Sequence, residues 1–142
     1  RVGSRSAMSD EESVSGLVDV PRSEVALLLE CGMLYLEMNK LEEAEEVFTG
    51  VAALVPHSEV PLICLGNLFF GQGRYDRALR FHRQALQKNP ESSLAQAHIG
   101  EALVFANKRV EGKKALEKAT EMGGDGAAFA EALLDALAAE VV

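Results

Sequence analysis

A 34-residue period runs through the chain and limits what it can fold into. Gly32, Gly66 and Gly100 are spaced by 34 and 34, Ala44 and Ala78 differ by 34, and so do Pro56 and Pro90. A fixed period of this length implies stacked supersecondary units, each too small to bury its own apolar face.

In register, the first unit reads Leu28, Cys31-Gly32, Tyr35, then Ala44, Phe48, Val51 and Pro56. The second reads Leu62, Leu65-Gly66, Phe69, then Ala78, His82, Ala85 and Pro90. The third reads Gln96, Ile99-Gly100, Leu103, then Gly112, Leu116 and Ala119, with Gly124 in the proline place. Spacings of three and four, as in Leu28, Cys31, Tyr35 and in Ala44, Phe48, Val51, predict two amphipathic helices per unit. Small residues mark the close approach of the two helices. Proline ends the first two units because it cannot continue a helix.

This pattern resembles the tetratricopeptide-repeat family, over residues 25 to about 124. The fold expected is all-α: a solenoid of three helix-turn-helix repeats (about 25–58, 59–92 and 93–124) with a capping helix over 125–142. Helices are expected at about 24–38, 41–54, 59–71, 75–88, 93–106 and 109–122. The turns between paired helices are Asn39-Lys40, Gly71-Gln72-Gly73 and Asn107-Lys108, and Ser58 with Ser92 or Ser93 supplies N-caps. Gly123-Gly124-Asp125-Gly126 reads as a helix stop and restart, so the last helix is drawn from Ala127 to Val141, with Phe129, Leu133, Leu134 and Leu137 at helical spacing. Residues 1–22 are read as a flexible segment: Arg1 to Ala7 looks like a cloning remnant ahead of a native Met8, and Val14, Leu17 and Val18 offer at most one weak helix.

Charge and cysteine content narrow the function. The 142 residues carry a net charge of −8. Residues 1–60 hold 4 basic and 12 acidic side chains and residues 61–142 hold 10 of each, which argues against a nucleic-acid partner, because phosphate contact needs clustered positive charge. Cys31 and Cys64 stand in no zinc-type or disulfide-framework spacing and read as buried free thiols of a reducing, cytoplasmic setting. Apolar runs are broken by Glu30 and Glu37 well short of the roughly 20 residues of a membrane span, so no membrane insertion is expected. Gly71-Gln72-Gly73 lacks the strand and third glycine of a phosphate loop. His57, His82 and His98 form no ligand set, and His82 fills a core slot. No catalytic residue, metal or cofactor is expected. The runs Glu42, Glu43, Glu45, Glu46 and Arg77, Arg80, Arg83 read as solvated faces whose charges can pair across units.

The first helix of each unit carries a second apolar stripe, one residue off the motif stripe. It consists of Ala26, Leu29, Met33 and Leu36, then Val60, Ile63, Asn67 and Phe70, then Leu94, Ala97, Glu101 and Val104. By the family resemblance these positions line a concave groove, which implies a protein or peptide partner anchored by Leu29, Met33, Ile63 and Phe70, with Asn67 and Glu101 orienting its backbone. The alternative is that the N-terminal segment or the last helix covers the stripe. Co-chaperones of this family that grip a C-terminal carboxylate use basic groove residues, and Leu29, Val60, Ile63 and Ala97 are not that. Three repeats, an acidic balance, an apolar groove and the turn Gly73-Arg74-Tyr75-Asp76 resemble the class II chaperones of bacterial type III secretion, which keep translocators soluble before export. The leading expectation is therefore a secretion chaperone. A self-assembling scaffold, with a homodimer as its simplest form, or a general adaptor is the alternative.

Overall fold

A computed structural model describes residues 13–14 and 20–139. Seven α-helices lie among them: α1 (Arg22–Glu37), α2 (Leu41–Leu54), α3 (Val60–Gly71), α4 (Tyr75–Lys88), α5 (Ser93–Phe105), α6 (Arg109–Met122) and α7 (Gly124–Ala138). Ahead of α1, β1 (Ser13–Val14) pairs antiparallel with β2 (Val20–Pro21). Val14 therefore sits in an extended pairing, where the sequence reading allowed a flexible segment or one weak helix, while Leu17, Val18 and the Arg1–Ala7 stretch lie outside the described residues. The chain divides into two compact units, up to Pro61 and from Leu62 onward.

The all-α reading holds, and the helix bounds fall within about two residues of the expected ones except at α7. Each helix pair turns in the same way. Asn39, Gly73 and Asn107, spaced by 34, take positive φ of 61°, 76° and 71°. In the first turn the Asn39 N–H donates to the Leu36 carbonyl and the Lys40 N–H to the Tyr35 carbonyl. The same two bonds recur from Gly73 to Phe70 and Arg74 to Phe69, and from Asn107 to Val104 and Lys108 to Leu103. This satisfies carbonyls that the end of a helix would leave unpaired, and only glycine and asparagine adopt the left-handed conformation cheaply.

Within the first unit, α1 packs on α2 through Gly32, whose missing side chain leaves room for the Phe48 ring; a Cβ would stand 2.9 Å from Phe48 Cδ1. Ala44, Phe48 and Val51 are the buried face of α2.

The second unit repeats the contact twice. Gly66 of α3 receives the His82 ring of α4, and a Cβ at Gly100 of α5 would lie 2.6 Å from Leu116 Cγ of α6. Gly112 is equally constrained from the other side, since a Cβ there would reach Val104 Cγ2 at 2.6 Å. Aromatic contacts join α3, α4 and α5: Phe69 stacks on Phe81 with centroids 5.5 Å apart, and Phe70 meets Tyr75 at 5.2 Å and Phe105 at 5.1 Å. Buried Gln96 is satisfied by donating from Nε2 to the Ala115 carbonyl at 3.1 Å.

The helix ends use the caps the sequence offers, with one exception. Ser92 Oγ accepts from the Ala95 N–H at 3.1 Å, and Ser58 Oγ accepts from the Val60 N–H at 3.2 Å. Ser93 does something else: its Oγ accepts from the Gly126 N–H at 3.1 Å, tying α5 to α7. Gly123, at φ 78°, breaks α6 from α7, and α7 then starts at once. The restart lies at Gly124 and not at Ala127, because Gly126 is used inside the helix. A Cβ at Gly126 would run into the backbone of Ser93 and Leu94. The seventh helix packs on both α5 and α6, with Ala130 and Leu137 joining Ala97, Leu116 and Ala119 in one core.

Gly126→Ala is therefore expected to push α7 off α5, since backbone cannot give way as a side-chain end can. The cost is that of overpacking, about 1–3 kcal/mol. A lowered thermal midpoint by circular dichroism is the expected result, and an unchanged midpoint would show that α7 docks by another route.

Candidate binding face

In the first unit, the candidate face is open. Met33 is 43% exposed and Val60 41%. Ala26 is exposed, while Leu29 and Leu36 are half-buried. Glu30, Met33, Leu34 and Glu37 line a shallow cavity of about 350 Å³ on α1. Leu34 was not among the expected residues. It lies one step around the helix, on a face that the repeat register treats as interior.

In the second unit the stripe is divided. Leu94 is exposed, and Asn67 and Phe70 are half-buried, Phe70 being held by Tyr75 and Phe105. Ile63 is only 7% exposed. Ala97 is fully buried, and Val104 packs against the same core of Leu116, Ala119, Ala130 and Leu137. Ala97 is therefore core and out of a partner's reach, whereas Val104 is half-buried at the edge of that core. Leu94, also in the third repeat's share of the stripe, stays exposed. Glu101 is also engaged, with Oε1 3.0 Å from His98 Nδ1.

A ring column crosses this unit. His82 stacks on His98 with centroids 4.9 Å apart and 16° between planes, and His98 meets Phe129 of α7 at 5.0 Å. His82 is buried, and its Nδ1 has no hydrogen-bond partner. Burial, with a smaller contribution from the neighbouring His98, pushes its pKa down to about 3. It is thus a neutral ring in the slot that Phe48 fills in the first repeat, as the repeat register implies. At the start of α4, the guanidiniums of Arg77 and of the preceding Arg74 lie 4.2 Å and 5.2 Å from the Phe69 centroid. Among the described residues, no cluster of three or more His, Cys, Asp or Glu is placed to hold a metal ion. No helix among them is long and apolar enough to cross a membrane.

The helix pairs, their 34-residue register and the glycine contacts define a tetratricopeptide-repeat fold, a protein-binding architecture. Residues 69–137 match the tetratricopeptide-repeat family model. No curated protein matches by sequence. Among solved structures, the chain is similar to PcrH from Pseudomonas aeruginosa, with a TM-score of 0.72 and 17% identity over 84% of this chain and 95% of that one. It is similar to the Yersinia enterocolitica type III secretion chaperone SycD in complex with a peptide of the translocator YopD, with a TM-score of 0.70 and 18% identity over 84% and 96%. The first repeat domain of Spaghetti (RPAP3), bound to an HSP90 peptide, matches with a TM-score of 0.65 and 22% identity over 79% and 94%. At these identities the likeness is one of fold.

His82 gives a pH test of the core. The unfolded chain binds a proton on this ring below about pH 6.5, and the folded chain does not until about pH 3. Its contribution is complete above 6.5 and is lost as pH falls toward 3, at about 1.4 kcal/mol per pH unit. His82→Phe removes both the orphaned nitrogen and the titration. Denaturant unfolding of the two proteins is expected to give a stability gap that widens between pH 6.5 and 5, by about 2 kcal/mol in all. A constant gap over that range would place a proton or a polar partner on His82 in the folded state.

Proposed function

We propose that this chain holds a segment of another polypeptide and acts as a secretion chaperone of the translocator-binding kind, in the cytoplasm and without catalysis. The observation that carries the reading is the pair of solvent-facing apolar positions Met33, on α1, and Val60, at the start of α3, both more than two-fifths exposed. A face of this kind on a repeat protein is where a bound peptide buries its anchors. Support comes from the fold likeness to PcrH and SycD, whose structures include one of PcrH with the chaperone-binding region of PopB and one of SycD with a YopD peptide. The residues left for the partner are Ala26, Leu29, Met33, Leu36, Val60, Asn67, Phe70, Leu94 and Val104. Asn67 supplies both a donor and an acceptor for an extended backbone. The carboxylate-gripping mode is disfavoured by the apolar Leu29 and Val60 and by the engagement of Glu101 with His98.

The test uses Met33→Glu with Val60→Glu, both at exposed positions, so the helical spectrum and thermal midpoint should barely move. Affinity capture from the native host, read by mass spectrometry, is expected to return a protein with membrane-inserting segments on the wild type and to lose it on the double variant. Truncating a binding anchor typically costs about 2 kcal/mol or more. Equal retention of such a partner by the folded variant would move the site elsewhere, and wild-type capture of no such protein would end the secretion reading.

A further inference from the structure

Four residues of α1 lie on a face that the groove reading does not use. Leu27, Cys31, Leu34 and Met38 are spaced by four, three and four, and fall within about 60° of one another around the helix axis. Leu27 is 60% exposed, Leu34 57% and Met38 60%, and Cys31 is exposed too. Adding 68 residues to each gives the equivalent positions of the third repeat: Ala95, Ile99, Ala102 and Ala106. There Ala95, Ile99 and Ala102 are buried, and Ile99 and Ala102 share a core with Leu79 of α4, against which Phe70 of α3 also packs. The face is thus the one by which a repeat's first helix receives the helices before it, and on α1 it is apolar and exposed to solvent.

Charge decides what can fill it. Glu30 and Glu37, a heptad apart, border the stripe on one side and line the shallow α1 cavity with Met33 and Leu34. From Pro21 to Pro61 the chain has two basic residues, Arg22 and Lys40, against eight glutamates. A second copy of α1 would bring the same glutamates against these. Residues 9–20 of the chain itself contain Asp10, Glu11, Glu12 and Asp19 and no basic side chain. Like charge opposes both, whereas a basic helix gains steering and pairing from the same field.

We infer that the outer face of α1 is a second docking surface, separate from the groove, for an amphipathic helix of another protein with leucine-like anchors and lysine or arginine flanks. The stripe runs about 17 Å, three helical turns, so the occupant needs about 12 residues or more. It packs on α1 as α4 packs on α5. This does not rest on the groove reading, and Met33→Glu with Val60→Glu tests that reading without touching these four residues.

Cys31 makes the face measurable. It stands on the stripe and is exposed, whereas burial pushes the Cys64 thiol up to about 11 and leaves it mostly unreactive at neutral pH. The probes are two fluorescent 18-residue helical peptides with leucines at heptad spacing, one flanked by lysines and one by glutamates. The lysine peptide is expected to bind saturably, to bind at least tenfold more tightly than the glutamate peptide, and to slow alkylation of Cys31. Leu27→Ser with Leu34→Ser should weaken it at least tenfold, and Glu30→Lys with Glu37→Lys should reverse the preference. Equal affinity for both peptides, or binding that leaves Cys31 alkylation unchanged, would overturn the proposal. So would a dimeric mass in sedimentation that Leu34→Lys converts to monomer, which gives the face to a second copy. A Cys31 that reacts only after residues 1–19 are removed would give it to the chain's own beginning.

Discussion

The fold rests on one contact made three times: a glycine in the first helix of a pair, and sixteen residues later a bulky side chain whose body lies directly on that glycine's backbone. The occupants are Phe48 over Gly32, His82 over Gly66 and Leu116 over Gly100. Two helices can approach this closely only where one of them has no Cβ, and the approach lets a 14-residue helix bury a stripe as narrow as Ala44, Phe48 and Val51. Packing of this density tolerates little added volume, because neither helix can retreat without opening its neighbour's contact. The occupant can vary in chemistry as long as it is flat or slim. A neutral histidine is admitted at His82 at the cost of an unpaired nitrogen, which at about 1–3 kcal/mol is large against a domain stability of a few to fifteen.

The same logic makes Gly126 the hinge of the C-terminal arrangement. The helix pairs meet side chain to backbone, but α7 meets α5 backbone to backbone, with the Gly126 N–H bonded to Ser93 Oγ. That contact fixes α7 over α5, and Ala130 and Leu137 then reach Ala97. At the far end of the helix, Arg109 donates from Nη2 to the Leu137 carbonyl at 3.3 Å, placing a cation at the negative end of the helix dipole. Both ends of α7 are thus tied to the third repeat. A helix held this way is a fixed part of the fold, and the core it shares with Ala97 removes that residue from any binding surface.

How far the sequence could be read follows from where the information sits. Repeat register, helix bounds and turns were legible because they depend on residues whose backbone preferences are local: Gly32, Gly66 and Gly100 at the contacts, Asn39, Gly73 and Asn107 at the left-handed turns, Pro56 and Pro90 at the ends. The start of α7 was misjudged because three glycines in four residues read as a break, and only the tertiary contact with Ser93 shows why one of them is helical. The candidate face was legible as a stripe but not as a surface. Whether Ile63, Ala97 or Val104 faces solvent depends on what packs over it, and no local pattern states where α7 will go. Val14 likewise has apolar neighbours at helical spacing, yet its partner is Val20.

The outer stripe of α1 escaped for the opposite reason. Leu27, Cys31, Leu34 and Met38 occupy positions that in a repeat protein are interior by default, so their apolar character looks like ordinary core until exposure is measured. A stack of identical units is chemically the same at every junction, but its ends are not junctions. In the second unit α7 covers part of the third repeat, its own Ala130 and Leu137 buried against Ala97, Leu116 and Ala119. In the first unit an apolar stripe meets water on α1, bordered by Glu30 and Glu37. A terminal repeat that only capped the stack would place polar side chains there, as repeat proteins need for solubility. Leu27, Leu34 and Met38 are all more than half exposed there, so their apolar character is explained by a helix of another protein that covers them.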